Sequence, residues 1–220
     1  MAITQDNSAT SSVDADFTLT FALTVAAGAT KLIVQIVHIS IPDAVVREVT
    51  YAGVNLTQAV SAENTFVASV IDIWYLDNPD AGANDVVITT NGSGNTRATA
   101  TSLFGTVSGA PEDTDTLTDS GPATEVNLSF TSTLGAWIFD AVSSSASAMT
   151  PNDDQTLNLD YDFQTVGGSY KTDSNQTSTS TRWEVLLSDV FGICGVSIAA
   201  APTGRLNMLG DGLQWSLHIV

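Results

Sequence analysis

The residues best equipped for chemistry in this 220-residue chain are carboxylates in close sets: Asp77 with Asp80, Glu112 with Asp113 and Asp115, Asp153 with Asp154, and Asp160 with Asp162. Two carboxyls facing each other across a cleft, roughly 5–10 Å apart, are the equipment of glycoside hydrolysis. Most of these sets fall in predicted loops, where a solvated Asp is the ordinary state. The same oxygens suit a hard cation better. Calcium takes six to eight oxygens from carboxylates and loop carbonyls, and Asp77-Asn78-Pro79-Asp80-Ala81-Gly82-Ala83-Asn84-Asp85 offers several within one loop. Asp77, Asp80 and Asp85 are therefore the candidate metal ligands, and calcium is the one cofactor this pattern suggests. The regular acidic spacing and closing Glu of a helical-hairpin calcium loop are missing, so a turn with solvated Asp residues competes with that reading.

Nitrogen and sulfur chemistry is scarce. His38 lies in the most apolar segment, where a core or sheet-edge place is the default, and His218 is third from the end, where termini fray unless docked. Cys194, the single cysteine, sits in Phe191-Gly192-Ile193-Cys194-Gly195-Val196 and reads as a buried inert thiol. No Gly-x-Ser-x-Gly elbow, phosphate-binding glycine loop or His-Glu-x-x-His helix occurs. No catalytic residue is assigned, and the expectation is a protein that is not an enzyme. Trp74, Trp137 and Trp183 stand in alternating apolar segments and read as core. Trp215, near the end, is the tryptophan expected at a subunit contact, where Trp is enriched.

The elements that would position these groups are strands. Phe17–Val25 alternates apolar residues with Thr, and Lys31–Ile39 is nearly continuous in apolar residues, as in a strand covered on both faces. Tyr51-Ala52-Gly53-Val54 reads as a tight hairpin. Asn78-Pro79 and Asn91-Gly92-Ser93-Gly94-Asn95 read as loops. Further strands are expected at 65–76, 86–90, 97–104, 126–130, 136–142, 155–162, 182–187, 191–199 and 213–220, with 108–122 wandering over the surface. No window carries a convincing helical period. More than ten short strands without helices between them predict an all-β, helix-poor fold: an antiparallel β-sandwich of jelly-roll type, with a closed barrel as the alternative. The division expected is an N-terminal arm at 1–16, the sandwich at 17–201, and an extension at 202–220 ending in a strand.

Composition bounds the rest. Hydrophobic residues make up 43% of the chain and its mean hydropathy is +0.16, enough for a sizeable core and too much for a disordered chain. Only 14% of residues are charged, and Lys+Arg number 6 against Asp+Glu 24, a net charge of -18. Nucleic acid is an unsuitable partner, since phosphate affinity comes from clustered Lys and Arg. No apolar stretch approaches the roughly 20 residues that span a bilayer, so no membrane insertion is expected. The Asp-rich, Lys-poor balance suits high salt or crowded copies. The opening Met1–Asn7 has no basic or apolar leader character, which sets the expectation of synthesis in a cytoplasm without export.

The stretch Asp6–Ser12, then Val49-Thr50-Tyr51-Ala52-Gly53-Val54-Asn55-Leu56-Thr57, then Ile73-Trp74-Tyr75-Leu76-Asp77-Asn78-Pro79-Asp80-Ala81-Gly82, resembles a β-sandwich module of tailed-phage structural proteins and large bacterial surface proteins. Ser102–Val107 and a closing strand near Ile193–Ala200 fit the same pattern. The likeness rests on strand and turn residues and carries no catalytic residues. It implies a structural protein of a virus particle, residing in the virion as a capsid decoration, turret or tail-fibre component. Its partners would be copies of itself and other virion proteins. Ile3, Leu206, Met208, Leu213 and Trp215 are the expected subunit contacts. The alternative is a module that binds glycans on host surfaces, which would need an exposed aromatic or a polar groove.

Overall fold

The computed structural model describes residues 1–40, 45–145, 149–152, 154–160, 166–174 and 178–202. Among them are fifteen strands and no helix. The first seven are β1 (Thr4–Val25), β2 (Lys31–Ser40), β3 (Val46–Tyr51), β4 (Val54–Asn55), β5 (Thr57–Asn64), β6 (Ser69–Asp77) and β7 (Gly82–Phe104). They form one antiparallel sheet in the order β4-β3-β7-β2-β6-β5, with β1 also paired to β7. The other eight are β8 (Asp113–Leu117), β9 (Ala123–Thr131), β10 (Ala136–Ser144), β11 (Met149–Pro151), β12 (Thr156–Asp160), β13 (Val166–Ser174), β14 (Ser178–Asp189) and β15 (Phe191–Ile198). These make a five-stranded sheet, β12-β13-β10-β15-β8, and a three-stranded sheet, β11-β14-β9.

The β1–β7 ribbon doubles back on itself. Asn7 Nδ2 donates to Thr24 O at 2.8 Å, and Ala26 N to Asp6 Oδ2 at 2.8 Å. A straight strand would hold Asn7 and Thr24 roughly 55 Å apart. The bend falls where the register shifts, between Val13 and Thr18 on β1, facing Thr89 to Thr96 on β7. Asn91–Asn95, expected as a loop between two strands, is instead the interior of one bent strand, with Gly92 and Gly94 easing the corner. The N-terminal arm expected at 1–16 falls on this ribbon. Residues 4–16 are the first half of β1, paired from Thr4↔Phe104 through Asp16↔Gly94. The hairpin at Tyr51–Val54 forms as the sequence reads it, with Ala52 and Gly53 both at positive φ (51° and 76°), as a two-residue turn matched to strand twist requires.

Doubling the ribbon creates a first core, in which Leu19, Leu23 and Val25 share a cluster with Val34, Ile36, Tyr51, Ile88 and Ala98. Side chains alternate along a strand, so Ile33 and Val37 of β2 and Ile71 and Ile73 of β6 point the other way. They pack with Phe139, Ala141, Cys194 and Val196 of the five-stranded sheet in a second core. The far face of that sheet, with Ile138, Val142 and Ile193, meets Val126, Leu128, Phe130 and Trp183 in a third. Strands β10 and β15 are therefore buried along their whole length. The all-β, antiparallel, helix-poor architecture is the one expected, and its stacked sheets are compatible with a sandwich of jelly-roll type.

Candidate functional site

Three of the buried ionisable groups, Asp140, Asp72 and His38, stand on strands that present a polar side chain among apolar neighbours. Asp140 of β10 has no exposure. Its Oδ1 accepts from Ser169 N (3.0 Å), Ser169 Oγ (2.9 Å) and Trp183 Nε1 (3.1 Å), and its Oδ2 from Gln155 Nε2 (3.1 Å). Burial pushes its pKa up to about 6, the hydrogen bonds opposing that rise. Asp72 of β6 is raised to about 6 by the same cause, with Gln58 Nε2 donating to its Oδ1 at 2.7 Å. His38 of β2 shares a 2.9 Å hydrogen bond with Thr96 Oγ1, and burial lowers its pKa. Perturbed groups of this kind mark functional sites when they line a cleft. These three are sealed within the fold: Asp140 joins β13 to Trp183 of the three-stranded sheet, whereas Asp72 and His38 bond to the neighbouring strands β5 and β7 of their own sheet.

The carboxylates of the candidate metal loop stand in different settings. Asp77, the last residue of β6, ion-pairs with the buried Lys31 and accepts from Ser108 Oγ (3.0 Å) and Gly109 N (2.5 Å). Lys31 Nζ also donates to Gly109 O at 2.8 Å and lies 4.8 Å from the Tyr75 ring centre. The carboxylate thus ties the 105–112 connection to the sheet. Asp80 is exposed in the loop, and Asp85 is exposed on β7 with its carbonyl held by Ala52 N. Among the described residues no three His, Cys, Asp or Glu side chains gather as a metal site. The acidic set at 112–115 also has structural partners. Asp115 Oδ2 accepts from Ser129 N (2.8 Å), Asp113 Oδ2 from Thr131 N (2.7 Å) and Glu112 Oε1 from Thr133 N (3.1 Å).

Among the described residues, exposed large hydrophobics include Phe17, Val54, Phe66, Leu117 and Leu157, and three more gather at one end of the molecule, where the chain's start and the end of β15 meet. Met1 donates its amine to Ala201 O at 2.5 Å, and Ala201 N donates to Gly105 O at 2.7 Å. Thr106 bridges Ala200, and Val107 N donates to Ala199 O at 3.0 Å. The approach is close enough to demand glycine: at Gly105 (φ 73°) a Cβ would lie 2.5 Å from Ala2 O. Beside this knot runs a groove of about 310 Å³ lined by Ala2, Ile3, Gly135, Trp137 and Thr172. Trp137 forms its wall, stacked on Tyr170 with centroids 5.4 Å apart and planes at 5°.

Around the knot lie three exposed apolar side chains: Met1 (66% exposed), Leu134 (66%) and Val107 (42%). Leu134 stands in the turn closed by Ala136 N donating to Thr133 O, and its neighbour Gly135 packs toward Ala200. All three thus adjoin residues 199–201. Sequence reasoning missed them because turn residues have no periodicity. An isolated leucine in the polar run Thr131-Ser132-Thr133-Leu134-Gly135 was the available signal. Ile3, expected as a subunit contact, is 4% exposed and belongs to the second core, because the arm it sat on is a paired strand. Leu206, Met208, Leu213 and Trp215 lie outside the described residues, as does the rest of the extension from 203 onward. Trp74, Trp137 and Trp183 are buried, as is the free Cys194. Comparisons of the chain with protein-family models, with curated proteins and with solved structures find no match.

Proposed function

We propose that this protein is a structural subunit of a tailed-virus particle, a capsid decoration, turret or tail-fibre component that resides in the virion and works by contact with copies of itself and with other particle proteins. The observation that carries the assembly reading is the apolar end: Met1, Val107 and Leu134 exposed around the point where the two ends of the folded body meet. Exposed apolar side chains gathered around one point mark a protein contact. The virion assignment adds the resemblance of the strand and turn residues to the phage module.

Glycan binding is the second reading, favoured by the groove at Trp137. It ranks lower because one face of that indole is already covered by Tyr170, leaving little flat ring for a sugar. The test is the mass of the purified chain by light scattering behind a sizing column, with and without residues 202–220. A discrete oligomer that dissociates on truncation is the expected result. A monomer in both forms removes the self-assembly reading.

A further inference from the structure

We infer that the apolar end receives the C-terminal segment of a second copy of this chain, an exchange of strands between subunits that rests on the assembly reading above. Three observations meet here. First, the surface is apolar and open, with Leu134, Val107 and Met1 beside the groove at Trp137. Second, the segment that must be placed departs from that same spot, since Ala201 is held by Met1 and Gly105. Third, the segment has the pattern of a strand with one apolar face: Leu213, Trp215, Leu217 and Ile219 alternate with Gln214, Ser216 and His218. A lone strand of this kind is not stable in water and must be covered or paired.

Donor and acceptor at one place favour exchange. Two copies meeting at these ends each offer a groove where the other's segment begins. The eleven steps from Pro202 to Leu213 reach at most about 40 Å, enough to cross a shared interface. Gly210 and Gly212, flanking Asp211, supply a turn just before the alternating stretch. The acidic character of the body, net -18, disfavours close approach of two copies through polar faces, which leaves an apolar contact as the economical one.

The experiment uses full-length chains. Leu134→Asp with Val107→Asp, both at exposed positions, is compared with Leu213→Ser with Trp215→Ser and with the unmodified chain by light scattering, with far-UV circular dichroism as the folding control. The unmodified chain is expected as an oligomer, and both variants as folded monomers of 22.9 kDa. Next, a Leu134→Cys chain and a Trp215→Cys chain are mixed and mildly oxidised; native Cys194 is buried and does not interfere. Exchange predicts a covalent species of twice the chain mass from the mixture that neither variant gives alone. If the unmodified chain is oligomeric and the Leu134→Asp, Val107→Asp variant stays so, this docking is overturned while the assembly reading stands. If Leu134→Cys and Trp215→Cys placed in one chain close within it and the mixture gives no cross-link, the segment covers its own groove and the exchange is overturned. A monomeric unmodified chain overturns both.

Discussion

Glycines in the five-stranded sheet set how closely its neighbours can approach. A Cβ on Gly192 would lie 2.6 Å from Glu63 O and 2.8 Å from Glu63 C, both backbone atoms of β5. On Gly195 it would lie 2.6 Å from Phe130 Cζ, the far end of a ring in the third core. Restricting the unfolded chain by Gly→Ala is worth at most about 1 kcal/mol in favour of folding. Overpacking a filled core costs roughly 1–3 kcal/mol, so the clash wins at both sites. Gly192→Ala is expected to be the worse, since a strand must move where Phe130 needs only a ring shift. Thermal unfolding should show both midpoints lowered, Gly192→Ala by roughly 5–10 °C, at about 2–4 °C per kcal/mol for a chain of this size. Equal midpoints for Gly192→Ala and the parent would mean that β5 does not pack against β15 as described.

At the scale of elements, the acidic run of β8 works as an edge device. Alternate side chains of a strand share a face, so Asp113 and Asp115 both turn toward β9 and accept from the N–H groups of Thr131 and Ser129. Those N–H groups would otherwise be a template for a foreign strand, the usual liability of a sheet edge. Asp113→Ala with Asp115→Ala should cost about 0.5–1.5 kcal/mol per hydrogen bond lost, since Ser129 and Thr131 are exposed and their N–H groups can turn to water. It should also raise thioflavin-positive aggregation on mild heating, whereas Asp→Asn, which keeps an acceptor oxygen, should do neither. Read from the sequence, these carboxylates suggested solvated loops or a hydrolytic pair, because spacing alone does not reveal what lies opposite. Strands β10 and β15 were legible for the opposite reason: a strand covered on both faces must be apolar or small throughout, and that shows in the residues. The first half of β1 was not legible. Its Thr, Ser, Asn and Asp residues pair through backbone, and Ala9 and Val13 pack against the first core. Strand β13 was hidden by Gly167 and Gly168, poor strand formers whose missing side chains make room for Trp183 and for Gln35.

Across the whole molecule, two sources of pH dependence act in the same direction and can be separated, while the buried His38, its pKa lowered, opposes them below its ordinary value of 6.5. The buried Asp72 and Asp140 have pKa values of about 6 in the fold, against 3.8 for an ordinary solvated Asp. The folded protein therefore holds more protons than the unfolded chain between these values. By linkage, stability falls as pH rises through that window and levels off above about 7. A shift of this size corresponds to on the order of 2–3 kcal/mol per group. The surface adds a second slope of the same sign: a net charge of -18 at neutral pH repels itself in the compact state, and acid relieves it. Salt distinguishes them, because ions screen exposed charges over about 10 Å at 0.1 M but do not rehydrate a buried carboxylate. Urea midpoints should thus rise from pH 8 to pH 5 at both 0.05 M and 1 M NaCl, with a smaller rise at high salt. In Asp72→Asn with Asp140→Asn, the rise remaining at low salt should vanish at 1 M or turn into a small fall, because His38 is then the buried group left to titrate. A rise at 1 M that is the same in the variant and the parent would place the titrating groups elsewhere, and the two carboxylates would then be ionised in the fold, held by Gln58 and by the Ser169, Trp183 and Gln155 donors.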